Sequence, residues 1–178
     1  MTDTKIVSQK IVFQSKYFFI KRVVFERDGK TFTREIEERN PVVLIVPYTQ
    51  NHEIYLERQY RTTYQAELLE LVAGQMNPDE DPLEAAKREL QEEAGIQAKQ
   101  WKKVGVWKLA ANVKQTINVF FATELTEGEN KLDEDEQIEI MKMPLDEVLE
   151  KIATGDITVG SHIAALLLFD TLRKEGKL

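Results

Sequence analysis

The sequence predicts an α+β fold, one mixed domain preceded by an antiparallel β extension. Three observations lead there. The first third is a series of Val-, Ile- and Phe-rich runs divided by turn residues. A sharply bounded helix follows near the middle of the chain. More strands and then two amphipathic helices complete the sequence, with no repeat, low-complexity tract or linker between them.

Lys5 to Gln14 and Tyr17 to Glu26 read as strands, with Ser15-Lys16 as the turn. Arg27-Asp28-Gly29-Lys30 carries the Asp-Gly signal of a tight hairpin, and Thr31 to Glu37 is the returning strand. Pro41 to Pro47 is a continuous apolar run, as a strand covered on both faces would be. A polar turn, Thr49 to Glu53, leads into a strand from Ile54 to Tyr60, and Glu67 to Ala73 forms another that ends at Gly74. Next comes the clearest helix. Asp81 suits the N-cap, Pro82 the first helical position and Glu84 the carboxylate of a capping box. Leu83, Ala86 and Leu90 form an apolar stripe, Gly95 stops the helix in the left-handed conformation, and Ile96 packs back on its last turn. Trp101 to Ala111, Thr116 to Thr123 and Gln137 to Met143 are expected strands. Pro144 opens a helix to about Ala153 with Leu145, Val148 and Ile152 on one side, and Ser161 is expected to cap a last helix from His162 to about Lys174. Trp101, Trp107, Phe120 and Phe121 are assigned to the core, His52 to a turn and His162 to a helix start.

With 178 residues, 42% hydrophobic and 31% charged, the chain can bury a sizeable core. Asp plus Glu outnumber Lys plus Arg by 31 to 24, giving a formal charge of −7 that disfavours a general nucleic-acid binder, which needs a basic stripe. Absence of cysteine removes disulfides, thiolate zinc sites and cysteine nucleophiles. The apolar runs are too short to span a bilayer, and the first residues lack a basic-then-apolar leader, so a cytoplasmic protein with no membrane partner is expected.

The charges of the central helix stand in unfavourable places. Glu89, Glu92 and Glu93 lie at i, i+3 and i+4 and share one face, where Glu89 and Glu93 repel by a few tenths of a kcal/mol. All three sit toward the C-terminus, where the macrodipole prefers cations, at ~0.3–1 kcal/mol each. A solvated acidic face is one reading. The other is a divalent-cation site, since hard oxygen ligands suit Mg²⁺ or Mn²⁺ shared with substrate phosphates.

The wider spacing decides between them. From Gly74 to Ile96 the chain reads GQMNPDEDPLEAAKRELQEEAGI, which matches G-x5-E-x7-R-E-U-x-E-E-x-G-U (U aliphatic) at Gly74, Glu80, Arg88, Glu89, Leu90, Glu92, Glu93, Gly95 and Ile96. A chance match is on the order of 10⁻⁹ per start position. This is the Nudix box, and the chain resembles the Nudix hydrolase superfamily.

That resemblance implies an α/β/α sandwich around a mixed sheet in residues 41–178, with residues 1–40 as a β extension similar to the swapped segment through which such enzymes form homodimers. It implies Mg²⁺ (Mn²⁺ as the alternative) held by Glu89, Glu92, Glu93 and the Ala73 carbonyl. Glu80 and Arg88 are implied to brace the loop on the helix, a role on which catalysis depends, and Gly74 and Gly95 to serve the backbone.

The flanking sequence resembles the ADP-ribose pyrophosphatase and nucleoside diphosphate sugar hydrolase branch. Leu56-Glu-Arg-Gln-Tyr-Arg61 before Leu69-Glu-Leu-Val-Ala-Gly74 is similar to that branch's arrangement, and Arg61 matches its diphosphate-contacting arginine. The acidic stretch Asp133-Glu-Asp-Glu-Gln-Ile138 is similar to its catalytic loop, with Glu134 the best match for the catalytic Glu and Glu136 the alternative. Tyr17, Phe18 and Arg34 of the extension are implied to reach the base, the aromatics by stacking and Arg34 across the dimer. ADP-ribose-specific members carry a Pro about sixteen residues past the box and an acidic residue nearby. Asn112 and Gln115 stand there instead, which favours a broader nucleotide-sugar range with GDP-mannose included. The alternatives are a Nudix hydrolase of dinucleoside polyphosphates or nucleoside triphosphates, and a non-catalytic nucleotide-binding module.

Overall fold

Asp28 and Gly29 both take positive φ, 53° and 72°, and so make the mirror-image turn that matches the twist of two flanking strands. A computed structural model describes residues 3–131 and 137–178 of the chain. In order the elements are β1 (Lys5–Gln14), β2 (Phe18–Arg27), β3 (Lys30–Arg39), β4 (Val42–Pro47), β5 (Glu53–Arg61), β6 (Ala66–Glu70) and β7 (Ala73–Gln75). Then come α1 (Pro82–Ala94), β8 (Ile96–Lys108), β9 (Val113–Lys114), β10 (Thr116–Glu127), β11 (Ile138–Pro144), α2 (Leu145–Thr154) and α3 (Gly160–Lys174). This is the α+β class expected.

Two compact units emerge. One consists of the stretch up to Pro41 together with Trp107–Ile117. Its sheet runs β1-β2-β3-β9, with β1, β2 and β3 antiparallel and β9 beside β3 in parallel. Every residue of β1 is exposed, including Ile6, Val7, Ile11, Val12 and Phe13. Because neighbouring residues on a strand point to opposite faces, both faces of this edge strand are apolar and uncovered.

The other unit comprises Val42–Val106 and Asn118–Leu178. It holds two sheets, ordered β7-β4-β10-β8 and β11-β5-β6. β4 is buried from Val43 to Pro47, as its unbroken apolar run predicts. α1 packs on β4 and β7, α3 on β4, and α2 on β5 and β11. Val43, Ile45, Val72, Leu90, Ile96 and Phe120 meet in one core, and Phe169 of α3 packs edge-on against Phe121 at 4.9 Å between ring centres.

Three expectations need correction. The strand expected from Glu67 to Ala73 is interrupted at Leu71-Val72, where the chain leaves the β5–β6 sheet and joins the β4 sheet. The run from Glu67 to Ala73, apolar except at Glu67 and Glu70, does not encode that change of partner. Ser161 does not cap α3: the N-cap is Val159, with no side-chain cap bond, and the helix already includes Gly160. Trp107 is only half-buried, whereas Phe120 and Phe121 are core.

Candidate active site

α1 starts where its local chemistry demands. The Asp81 carboxylate accepts from the N–H groups of Leu83 (2.8 Å) and Glu84 (3.3 Å), with Pro82 in the first helical position. It stops at Gly95, whose φ of 66° is left-handed. No basic side chain lies in the last turn, so a backbone N–H and a side-chain amide from beyond the helix answer the terminal carbonyls. The Lys131 backbone N–H donates to the Glu92 carbonyl at 2.8 Å, and Nδ2 of the Asn130 side chain to that of Glu93 at 3.5 Å.

The buried side of α1 carries Ala85, Ala86 and Leu90 together with two carboxylates, Glu89 and Glu93. Each of the two is only 8% exposed, which excludes the solvated acidic face. Arg88 organises this surface. A guanidinium has five donors. Nε and Nη2 form a fork on the Glu80 carboxylate (2.9 and 3.0 Å), Nη1 reaches Glu89 (2.8 Å) and Glu92 (3.0 Å), and Nη2 also donates to the Gln75 carbonyl (3.1 Å). Glu80 in turn accepts from the Asn77 N–H at 2.8 Å. The Arg88 hydrogen bonds hold the Glu80 carboxyl down to about 2, and the pairing with Glu80 raises Arg88 above its ordinary value.

Gly74 fits beneath this network for lack of a side chain. A Cβ there would lie 2.0 Å from Cδ of Glu89 and within 2.3 Å of both its oxygens. The Glu89 carboxylate therefore rests over the Gly74 Cα, beside the peptide that carries the Ala73 carbonyl. Among the described residues no three acidic or imidazole groups converge on one point, because Arg88 holds Glu89 and Glu92. The donor set, carboxylates and a carbonyl beside a cradle that a Cβ would fill, nonetheless fits a hard divalent cation. Nudix hydrolases are in general dependent on divalent metal.

On β5 and β6, Glu57 and Glu70 are direct cross-strand partners, 2% and 4% exposed. Like charges opposed in this way are unfavourable, and Arg61 offsets them. It forks onto Glu70 from Nε (3.0 Å) and Nη2 (2.7 Å). That pairing raises the Arg61 guanidinium, and the charges of Glu57 and Glu93 add to the effect. Arg61 thus lies in the field of the box carboxylate Glu93. Arg58 points elsewhere, to exposed Glu139 at 3.1 Å. His162 was missed as a contributor. It is 6% exposed, its Nδ1 accepts the Leu71 N–H at 3.0 Å, and burial pushes its imidazole down to about 4. A signal existed: His162 stands at helical spacing from buried Ala165, Leu166 and Phe169.

Tyr17, Phe18 and Arg34 belong to the β1–β3 unit. Tyr17 is 58% exposed, Phe18 packs on Phe13 with the Arg39 guanidinium over its ring, and Arg34 lies 5.1 Å over Phe32. In the same unit a cavity of about 510 Å³ is lined by Arg39, Lys108, Asn112, Lys114 and Gln115 among others. Glu134 and Glu136 lie outside the described residues.

The model of the NUDIX domain matches residues 38–162. The chain belongs to the Nudix family. With every box position intact it is a Nudix hydrolase. It is 28% identical over 160 residues to an ADP-ribose pyrophosphatase of Bacillus subtilis, covering 87% of this chain and 86% of that one. A GDP-mannose pyrophosphatase of Escherichia coli K12 is 25% identical over 188 residues, covering 96% and 97%. The crystal structure of an ADP compounds hydrolase superposes with a TM-score of 0.85 at 25% identity, over 99% of this chain and 97% of that one.

Proposed function

We propose that this enzyme hydrolyses the pyrophosphate bond of nucleoside diphosphate sugars, ADP-ribose and a wider set that includes GDP-mannose, releasing a nucleoside monophosphate and a sugar phosphate. The observation that carries the reading is the buried carboxylate face of α1, held by Arg88 over Gly74, in a chain similar to pyrophosphatases of both substrates.

Glu89, Glu92, Glu93 and the Ala73 carbonyl would hold Mg²⁺, or Mn²⁺ in its place. When bound, the cation neutralises the diphosphate and makes a coordinated water more acidic. Arg61, fixed by Glu70, binds a diphosphate oxygen. A water oxygen bonds to one phosphorus, the bridging P–O bond breaks, and the water proton passes to the base. Glu134 is our choice for that base and Glu136 the alternative. In support, Lys131 at the start of their segment is hydrogen-bonded to the Glu92 carbonyl. Glu80 and Arg88 position the carboxylates.

Arg34, Tyr17 and Phe18 recognise the base, and the 1–40 extension joins two copies in a homodimer. The exposed apolar β1 supports the dimer. Asn112 and Gln115, standing where ADP-ribose-specific members carry a Pro and an acidic residue, support the broader sugar range. The partners are then a nucleotide sugar and a second copy in the cytoplasm, with no nucleic acid or membrane. Turnover with Mg²⁺ against ADP-ribose, GDP-mannose, UDP-glucose, diadenosine polyphosphates and triphosphates tests this. A nucleotide sugar is expected to give the highest kcat/KM; preference for a polyphosphate or triphosphate, or no turnover at all, refutes it.

A further inference from the structure

Leu71 and Val72 connect β6 to β7, and so make the step from one sheet to the other. Their backbone groups must find partners outside the β5–β6 ladder. The Val72 carbonyl accepts from Ile45 N–H at 2.9 Å. The Leu71 N–H is answered by a side chain from 91 residues away, His162 Nδ1, at 3.0 Å in a buried setting. On one side of this link stands Glu70, which fixes Arg61; on the other stands Ala73, whose peptide runs beneath Glu89.

We propose that His162 is a positioning residue for the hydrolysis: by accepting the Leu71 N–H it sets the spacing between the Arg61–Glu70 pair and the Ala73 carbonyl, and so between the diphosphate-binding group and the metal site. The proposal rests on the function stated above. Neutral imidazole is required, because only it has an acceptor nitrogen. Three features keep it neutral. His162 is nearly dehydrated, it sits in the first turn of α3, where the helix dipole disfavours a cation, and the Arg61 charge acts against protonation. Only the Glu70 charge acts the other way.

The test compares His162→Phe, which fills the space without an acceptor, with His162→Asn, whose side-chain oxygen can take the Leu71 N–H. Each is checked for folding by circular dichroism and thermal melting. Mn²⁺ affinity is then read by electron paramagnetic resonance, and kcat and KM on a nucleotide sugar are measured separately. His162→Phe is expected to weaken Mn²⁺ binding 10- to 100-fold, as loss of a group supporting metal ligands does, and to raise KM several-fold through Arg61. His162→Asn is expected to restore most of both. A folded His162→Phe with wild-type Mn²⁺ affinity and KM overturns the proposal, since a purely structural role lowers the melting temperature alone. Should His162→Phe fail to fold, NMR of the wild-type protein decides. The Leu71 amide and the His162 ring nitrogens are expected to shift on adding Mg²⁺, and unmoved resonances at saturating Mg²⁺ overturn it. If the wild-type protein cleaves no nucleotide sugar, the functional reading fails, while the Mn²⁺ affinities still judge His162.

Discussion

Replacing Gly74 with Ala separates stability from activity. The added Cβ would meet the Glu89 carboxyl carbon at 2.0 Å and its oxygens at 2.2 and 2.3 Å. Non-bonded carbons sit about 3.5–4.0 Å apart, so the carboxylate must retreat by roughly 1.5 Å. The carboxylate ends a long side chain with several rotatable bonds, so rotation absorbs the clash. Gly74 is absent from the residues with positive φ, and Ala adds no backbone strain there. The main loss is the 2.8 Å bond between Arg88 and Glu89, about 1 kcal/mol net. For a chain of this size that lowers Tm by roughly 2–4 °C. Activity responds differently, because a misplacement of about 1 Å in a catalytic constellation costs on the order of 100-fold. Gly74→Ala is therefore expected to fold, to melt within about 4 °C of wild type, and to lose at least about 100-fold in kcat/KM along with Mn²⁺ affinity. Wild-type kcat/KM in this variant would show that Glu89 does no work at that position. A variant that fails to fold would show that the contact is with rigid structure and not with a movable side chain.

Glu93→Gln is expected to abolish Mg²⁺-dependent turnover with its circular dichroism unchanged, and wild-type kcat would remove Glu93 from the metal site. For Glu134→Gln the expectation is a large fall in kcat with little change in KM; an unaltered kcat removes it as the base. Arg88→Lys keeps the charge but not the fork, and is expected to cost about 2 kcal/mol after allowance for partial exposure, or roughly 4–8 °C in Tm. Equal melting of Arg88→Lys and wild type contradicts the five-bond account. The pH dependence of stability follows from His162, whose folded value of about 4 lies below the ordinary 6.5. Between those values the unfolded chain binds the proton that the folded chain refuses. Its contribution is therefore whole above pH 6.5 and falls as pH drops toward 4, by about 3 kcal/mol in all. Urea titrations of wild type and His162→Asn at pH 7 and pH 4.5 should diverge by that order, and parallel curves would refute a buried neutral imidazole.

Local rules made much of this legible from residues. Asp28-Gly29, the Asp81 cap and the Gly95 stop act within a few positions of themselves, and all stand where the reading put them. The carboxylate face of α1 was legible for the same reason, since helical periodicity alone groups Glu89, Glu92 and Glu93. What escaped is what long-range contacts decide. The Leu71-Val72 change of sheet depends on which strands lie beside it, and the partner of Leu71 is 91 residues away. β8 begins at Ile96, ahead of the expected Trp101, because Gln97, Lys99 and Gln100 at its start are polar and exposed and hide the apolar alternation. The pairing of Glu57 with Glu70 is likewise a matter of register, which no single strand contains.

Arg88 has a consequence for how the protein matures. Its guanidinium already serves as the counter-ion of Glu80, Glu89 and Glu92. An acidic helix neutralised from within can assemble in a chelator, ahead of any encounter with a cation. A cation taking Glu89 and Glu92 as ligands, as proposed, would compete with that resident charge for one oxygen of each, and its apparent affinity would reflect a trade between partners and not capture by an empty trap.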